Sequence, residues 1–581
     1  MDRRLFLQSA AAMVAGTALT TACSSGSPGG GASTAPKAKA VTGLKVRLGT
    51  AADSKGPLTV EGATKGGTVK VLQPYDFAHL DPQRVYASDG GVAATLIHRR
   101  LVAYKRVGDE QILCGDLATD TGTASDGNKT WTYTLREGVR FSDGTAVTSK
   151  HVKYGIERAY DAEITDGPTF IPAWLSGDDY RKEYTGPSGG KSLPDSVIET
   201  PDDQTIVFHL REPQADFPFA CAYPITAPVL ESAAKKGDFD QLPTATTGPY
   251  KVKSHDDAKM VLVRNDQWDA DTDPVRAQYP ESFEITFNVA SLDESQQLAA
   301  ADGEAVMTFS GVVDASYLSR TTGELKTRTL SEGGITSRVL GINCKRVTDV
   351  EVRRAILTAF PKTGWRRIYG GPVYGDIATD ILAPVVVGFR KNDVYPVTEA
   401  GDPAAAKKIL KKAGKLGTKL VYAWGQTDQG DKAGIIVAEA LTRAGFEVVK
   451  KPLNSTTYFT EIGKVDKPYD IFHSSWSPDW PTGSSVIPGC FDGRTIADGA
   501  TNYYNYDNDE VNAEIDRIKA LTDADEANTA WAGLDAKIMK GIPIVPLAYE
   551  AKTYLIGGKL GGAYVTMSPT GCQPSHVYVK A

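Results

Sequence analysis

The sequence predicts an α/β protein of more than one domain, and three observations carry that expectation. The chain has 581 residues, whereas single hydrophobic cores stop growing at roughly 250–300 residues. Its hydrophobic fraction is 41% and its charged fraction 23%, the balance of a soluble globular chain. Strand-like and helix-like patterns interleave along its whole length, which is the signature of mixed α/β layers.

The elements follow in chain order. "TVKVLQP" after Gly66-Gly67 reads as the first strand. Trp131, Tyr133 and Leu135 alternate with Thr132, Thr134 and Arg136, giving a strand with one apolar face. A second strand is expected at Val139-Arg140-Phe141, with Asp143-Gly144 as the turn beyond it. "TSKHVKYGIERAY" places Val152, Ile156 and Tyr160 on one helical face behind a Thr148 cap. "TIVFHL" at 205–210 alternates as a strand. In "TDVEVRRAILTAF", Thr348 and Glu351 form a capping box and Pro361 ends the helix. In "DPAAAKKILKKAG", Asp402 caps, Pro403 occupies the first helical position and Gly414 closes the end. "KLVYAW" and "YDIFHSSW" are strand patterns.

The N-terminus reads as an export signal. Arg3-Arg4 precede Leu5-Phe6-Leu7 and a short apolar run, about half of the roughly 20 residues that span a bilayer. "RRLFL" resembles a twin-arginine signal, with Asp2 where a hydroxyl residue is usual, and "LTTAC" resembles a lipobox ending at Cys23. Cleavage after residue 22 removes two Arg and one Asp and takes the net charge from −7 to −8. Residues 23–65 are expected to be a lipidated cysteine and flexible tether. Their Gly/Ser/Ala/Pro-rich start cannot bury enough surface to order itself, and a coil over 24–65 spans roughly 35 Å.

Several function classes are disfavoured. A net charge of −7 without a dense Lys/Arg tract argues against nucleic acid. Cys114, Cys221, Cys344, Cys490 and Cys572 include no CxxC pair, and spacing leaves open one or two disulfides. No H-E-x-x-H exists, and neither a metal site nor another cofactor is expected. "TGPSGGKS" lacks the first glycine of a phosphate-binding loop. Its Gly186-Pro187-Ser188-Gly189-Gly190 lacks the strand and helix of a nucleophile elbow. Ser232-x-x-Lys235, Lys362-Thr363-Gly364 and Tyr506-Asp507-Asn508 carry the penicillin-recognising elements in the wrong order. A secreted hydrolase using Ser188 or Ser232 is the remote alternative; no enzymatic activity is expected.

A family resemblance then organises the chain. "GGTVKV … LDPQRVY", "WTYTLREGVRFSDGTAVTSKHVKYGIERAYD", "TTGPYKV … LVRNDQWD", "LGINCKRVTDVEVRRAILTAF", "DPAAAKKILKKAG", "YDIFHSSWSPDWP" and "IPIVPLAYE" occur in order. This set resembles the extracellular solute-binding proteins of ABC importers, the peptide/nickel-binding family 5. The resemblance implies a type II periplasmic-binding-protein fold. Two hinged α/β lobes enclose a ligand cleft, with a domain inserted in the first lobe. By analogy, lobe I comprises 66–88, 195–290 and 540–581, the insert 89–194, and lobe II 291–539. It implies a monomeric, lipid-anchored receptor on the outer face of the cytoplasmic membrane, passing a short peptide to an ABC permease and its ATPase subunits. Other ligands within the family, such as an oligosaccharide, a metal chelate or a signalling peptide, stay open.

The resemblance also nominates a site. In peptide-binding relatives the aspartate matching Asp479, in "WSPDWP", receives the ligand's α-ammonium. Trp476 and Trp480 would wall the site. Tyr75, Asp76 and Phe77, after the first strand, would lie near the cleft. Relatives often continue Asp-Tyr-x-Asp-Pro, but here Asp479-Trp480-Pro481-Thr482-Gly483 lacks the second acid.

Overall fold

A computed structural model describes residues 45–235 and 239–581. The segment expected to be a signal sequence, residues 1–22, together with Cys23 and residues 24–44, lies outside the described residues. Two large sheets dominate. The five-stranded sheet runs in the order Val306–Thr308, Thr68–Leu72, Ser282–Thr286, Lys259–Arg264, Tyr250–His255. Its first three strands are parallel and its last three antiparallel. Val69 and Val71 bury one face of the first sequence-predicted strand against Leu96 and Ile97 of the helix Ser88–Ile97.

The six-stranded sheet runs Gly375–Ile377, Ile544–Leu555, Thr329–Ile342, Ile471–Trp476, Lys419–Gln426, Glu447–Asn454. Leu340, Ile342, Leu420, Tyr422 and Ile471 pack on one face with Val352, Ile356, Leu410, Val437 and Leu441, from the helices Val350–Ala359, Pro403–Lys412 and Asp428–Arg443. The other face carries Ala423 and Phe472 into a core with Ile515 and Ile538 of the helices Asp509–Lys519 and Ala524–Met539.

A third region has its own core around Trp131, Tyr133, Phe141, Ile156, Phe208 and Phe217. It is built on the antiparallel sheet Thr123–Ser125, Thr130–Thr134, Thr205–His209, Ile198–Glu199 and the helix Ser149–Arg158. A three-stranded sheet, Lys45–Leu48, Glu110–Gly115 and Val102–Val107, adjoins it.

Two long strands, Thr329–Ile342 and Ile544–Leu555, join the halves. They pair antiparallel with a register break between Glu332 and Thr336. Gly333 and Gly334 fall in that break; Gly334 has φ +71°, and a β-carbon there would meet Pro384 at 2.9 Å. These strands form the expected two-strand hinge between the lobes.

The structure revises several expectations. Lys45–Leu48 pairs in parallel with Glu110–Leu113, and Arg47 forms ion pairs with Asp53 and Glu110. Residues 45–65 are therefore folded chain, not tether. Val306–Thr308 adds to the five-stranded sheet beside Thr68–Leu72, so the lobe division expected at 290/291 falls instead near the hinge break. Likewise, Ile544 to Glu550 pair inside the six-stranded sheet, beyond the division expected at 539/540. The core expected to end at 194 continues through Phe208, Phe217 and Phe239. Val139-Arg140-Phe141 makes only a bridge, Arg140 with Ala146, because the Asp143-Gly144 turn closes too soon for a ladder. The helix beginning at Val350 is capped by Asp349, whose carboxylate accepts the Glu351 N–H at 2.9 Å, not by Thr348. Thr148 and Asp402 cap their helices as expected, and His151 additionally closes a capping box with Thr148. All five cysteines of the described residues are free thiols.

Candidate functional site

Strand Ile471–Trp476 ends at the edge of the cleft and releases the chain into "SPDWP". Here Asp479 borders a cavity of about 320 Å³. Its walls come from both sides: Ser475 to Asp479 on one, and Tyr86 to Ser88, Tyr223 and Met567 to Thr570 on the other. The Tyr86 hydroxyl donates to Asp479 Oδ1 at 2.8 Å. The Tyr223 hydroxyl lies 3.3 Å from the same oxygen and 3.1 Å from the Asp479 carbonyl. Burial and the facing carboxylate push both phenol pKa values up, so both stay protonated donors. Burial raises the Asp479 pKa above the usual carboxylate range, against the two phenol hydrogen bonds. No ion pair reaches Asp479 among the described residues, so its partners are neutral.

The other nominated residues divide sharply. Trp476 lines the cavity, its Nε1 donating to the Ser485 carbonyl at 3.1 Å. Trp480 does not: it is 5% exposed and packs edge-on against Phe170 and Trp174 in the third core. Its Nε1 donates to Asp216 and Ser484 at 3.2 and 3.1 Å. Thr482 and Ser484 also donate to Asp216. The stretch where relatives carry a second acid thus serves a buried acid from elsewhere in the chain. Phe77 is 2% exposed and stacks among Phe287 and Phe309, a core role that removes it from the cleft. Asp76 accepts from His255 at 2.9 Å, and Tyr75 is 56% exposed and borders neither of the two larger cavities.

Reasoning from sequence missed Tyr86 and Tyr223. "RVY" sat inside a family block without a chemical signal of its own, and only the fold brings positions 86, 223 and 479 together.

A second cavity of about 300 Å³ shares Ser475 with the first. It is lined by Arg338, Trp365, Tyr369, Tyr374, Tyr458, Phe459 and His473. Arg338 Nε bonds Glu550 at 2.5 Å, and Lys552 Nζ reaches the same carboxylate at 3.1 Å. Burial raises the Glu550 pKa, but the two cations outweigh it and hold the group below the usual range. Tyr369 and Tyr374 also border a third hollow of about 120 Å³, reaching Val312 and Val313. The three hollows adjoin in turn, the first and second sharing Ser475 and the second and third sharing Tyr369 and Tyr374.

The hydrolase alternative finds no support in this geometry. Ser188 donates to Asp161 at 2.5 Å, and Ser232 sits in a four-residue helix. Among the described residues no histidine hydrogen-bonds either serine. Nor, among the described residues, do three or more His, Cys, Asp or Glu cluster to hold a metal. No helix among them is long and apolar enough to cross a membrane.

A hinged pair of α/β lobes with a cleft bearing one unpaired acid defines a binding protein. The chain belongs to the bacterial extracellular solute-binding proteins, family 5, whose model matches residues 113–498. Among curated relatives it is similar to the probable D,D-dipeptide-binding periplasmic protein DdpA of Escherichia coli K12. The two are 24% identical over 459 residues, 76% of this chain and 81% of that protein. Glutathione-binding protein GsiB of Salmonella typhi is 21% identical, over 80% of this chain and 86% of its own length. Among solved structures, clavulanic acid biosynthesis oligopeptide binding protein 2 superposes with a TM-score of 0.81 at 27% identity, covering 94% of this chain and 99% of that one. The periplasmic binding protein DppA from Helicobacter pylori, in complex with the peptide STSA, gives 0.66 at 20% identity, covering 89% and 99%.

Proposed function

We propose that this protein captures a short peptide between its lobes and delivers it, unaltered and without a cofactor, to an ABC permease and its ATPases. Asp479 receives the peptide's α-ammonium, with Trp476 as a wall. The protein works as a monomer, held to the outer face of the cytoplasmic membrane by lipid on Cys23. The carrying observation is the company of Asp479: a desolvated carboxylate, facing a 320 Å³ cavity, with two phenols and no cation among the described residues. Desolvating an acid is costly unless a partner arrives, and a charge-assisted hydrogen bond from an ammonium is about twice as strong as a neutral one. Relatives named for dipeptides, oligopeptides and glutathione support the peptide class.

Mass spectrometry of ligand carried through purification tests the class directly: peptides are expected, and a sugar or metal chelate in their place would overturn it. Calorimetry with a mixed peptide library then tests the handle. Saturable heat is expected from the natural protein, and from Asp479→Asn only binding weakened on the order of 100-fold.

A further inference from the structure

The second hollow offers chemistry that the ammonium site does not use. Trp365, Tyr369, Tyr374, Tyr458, Phe459 and His473 surround about 300 Å³. Phe459 stands at its mouth 50% exposed, a large apolar ring with little to cover it. The imidazole is neutral, its pKa pushed down to about 3 by burial and by nearby Arg338. One side-chain polar atom of the lining is buried without a hydrogen-bond partner: Nε1 of Trp365, a residue 3% exposed. Native interiors rarely leave such groups unmet, so each instance calls for a missing partner. The indole N–H is a donor only.

We propose that this hollow is a second subsite for a flat aromatic group bearing an acceptor oxygen on its rim, for which the peptide residue is tyrosine. The walls match a ring in shape and polarity, since aromatic groups favour edge-on and offset contacts with one another. The unmet indole N–H matches an oxygen. Arg338 bars a lysine or arginine side chain, and a small aliphatic one would leave both the walls and the indole donor unfilled. Because Ser475 borders both hollows, one ligand held at Asp479 reaches this pocket with its neighbouring residue. The proposal rests on the Asp479 reading only for that anchor.

Titration calorimetry of the full chain with Ala-Tyr, Ala-Phe, Ala-Ala and Ala-Lys tests it. Ala-Tyr is expected to bind at least tenfold tighter than Ala-Ala, with Ala-Phe between them and Ala-Lys weakest. Phe459→Ala, at an exposed position that should fold normally, is expected to cost Ala-Tyr at least fivefold and Ala-Ala less than twofold. Trp365→Phe should close the gap between Ala-Tyr and Ala-Phe; should it fail to fold, Phe459→Ala decides. Equal affinities for Ala-Tyr and Ala-Ala, tight binding of Ala-Lys, or no binding by any of the four would overturn the subsite. Asp479→Asn separates the two readings. If it weakens all four peptides alike while no aromatic preference exists, the subsite alone fails. If it weakens none while the preference persists, the ammonium reading alone fails.

Discussion

Asp116 and Asp479 are both carboxylates withdrawn from water, and they keep opposite company. Asp116 is fully buried between Arg99 and Arg276, with contacts of 2.8 and 2.6 Å. Burial pushes its pKa up, but the two guanidiniums overcome that and hold it below the usual range. Asp479 has only phenols, and there burial wins. Asp216 sharpens the contrast. It too lacks a cation and is raised by burial, yet Trp480, Thr482 and Ser484 all donate to it, and its hollow measures only about 30 Å³. An unpaired acid therefore marks a binding site only where space for a visitor accompanies it.

The largest expected effect breaks the contrast from the structural side. Asp116→Asn leaves two buried arginines short of a counter-charge. Removing one partner of a buried pair costs about 3–5 kcal/mol, measurable by urea unfolding. Asp479→Asn is expected to do the reverse. Asparagine still accepts from Tyr86 and Tyr223 while shedding a desolvated charge, so the ligand-free Tm should rise slightly. Peptide affinity should fall on the order of 100-fold, the scale for truncating one member of a desolvated charge pair. A fall in both would place Asp479 with Asp116 as a structural acid.

The pH dependence separates the same two residues by sign. Asp116 has a depressed folded-state pKa, so its stabilisation is present above the unfolded value and lost as pH falls through the folded one. Asp479 has a raised folded-state pKa. Its contribution favours folding below the unfolded value and is lost as pH rises through the folded one. A bound ammonium would favour its ionised form, so peptide binding should release a proton near the raised pKa, and affinity should drop by up to about tenfold per pH unit below it. Calorimetry in buffers of different ionisation heat measures that proton. Its absence would mean that Asp479 does not meet the cation.

How much of this was legible in the sequence follows from distance along the chain. The Thr148 and Asp402 caps act over three residues, and a three-residue pattern can be read directly. The strand at Lys45–Leu48 owes its existence to Glu110–Leu113, more than 60 residues on, and in isolation its segment looks like linker. The boundary errors at 290 and 539 share that cause, because Val306–Thr308 and Ile544–Leu555 are assigned by their pairing partners. Asp479 was legible as an anomaly, an acid among indoles and prolines. The hydroxyls that answer it lie 393 and 256 residues away.

The smallest expected effect concerns the two indoles, which sequence alone treats as equivalent walls. They flank the same acid four residues apart, yet one faces the cavity and the other faces Phe170 and Trp174. Trp480→Phe keeps a ring in that core and removes one N–H, while Thr482 and Ser484 still serve Asp216. The expected cost is about 1 kcal/mol of stability, with peptide affinity within about twofold. Trp476→Phe should weaken peptide binding more than it weakens the fold, because its ring borders the space the ligand fills. Thermal melts and calorimetry on the pair resolve the two roles. If Trp480→Phe instead lost affinity at unchanged stability, the packing around Asp216 would be part of the grip on the ligand, and the division between a structural and a receptive acid would have to be drawn around the whole loop.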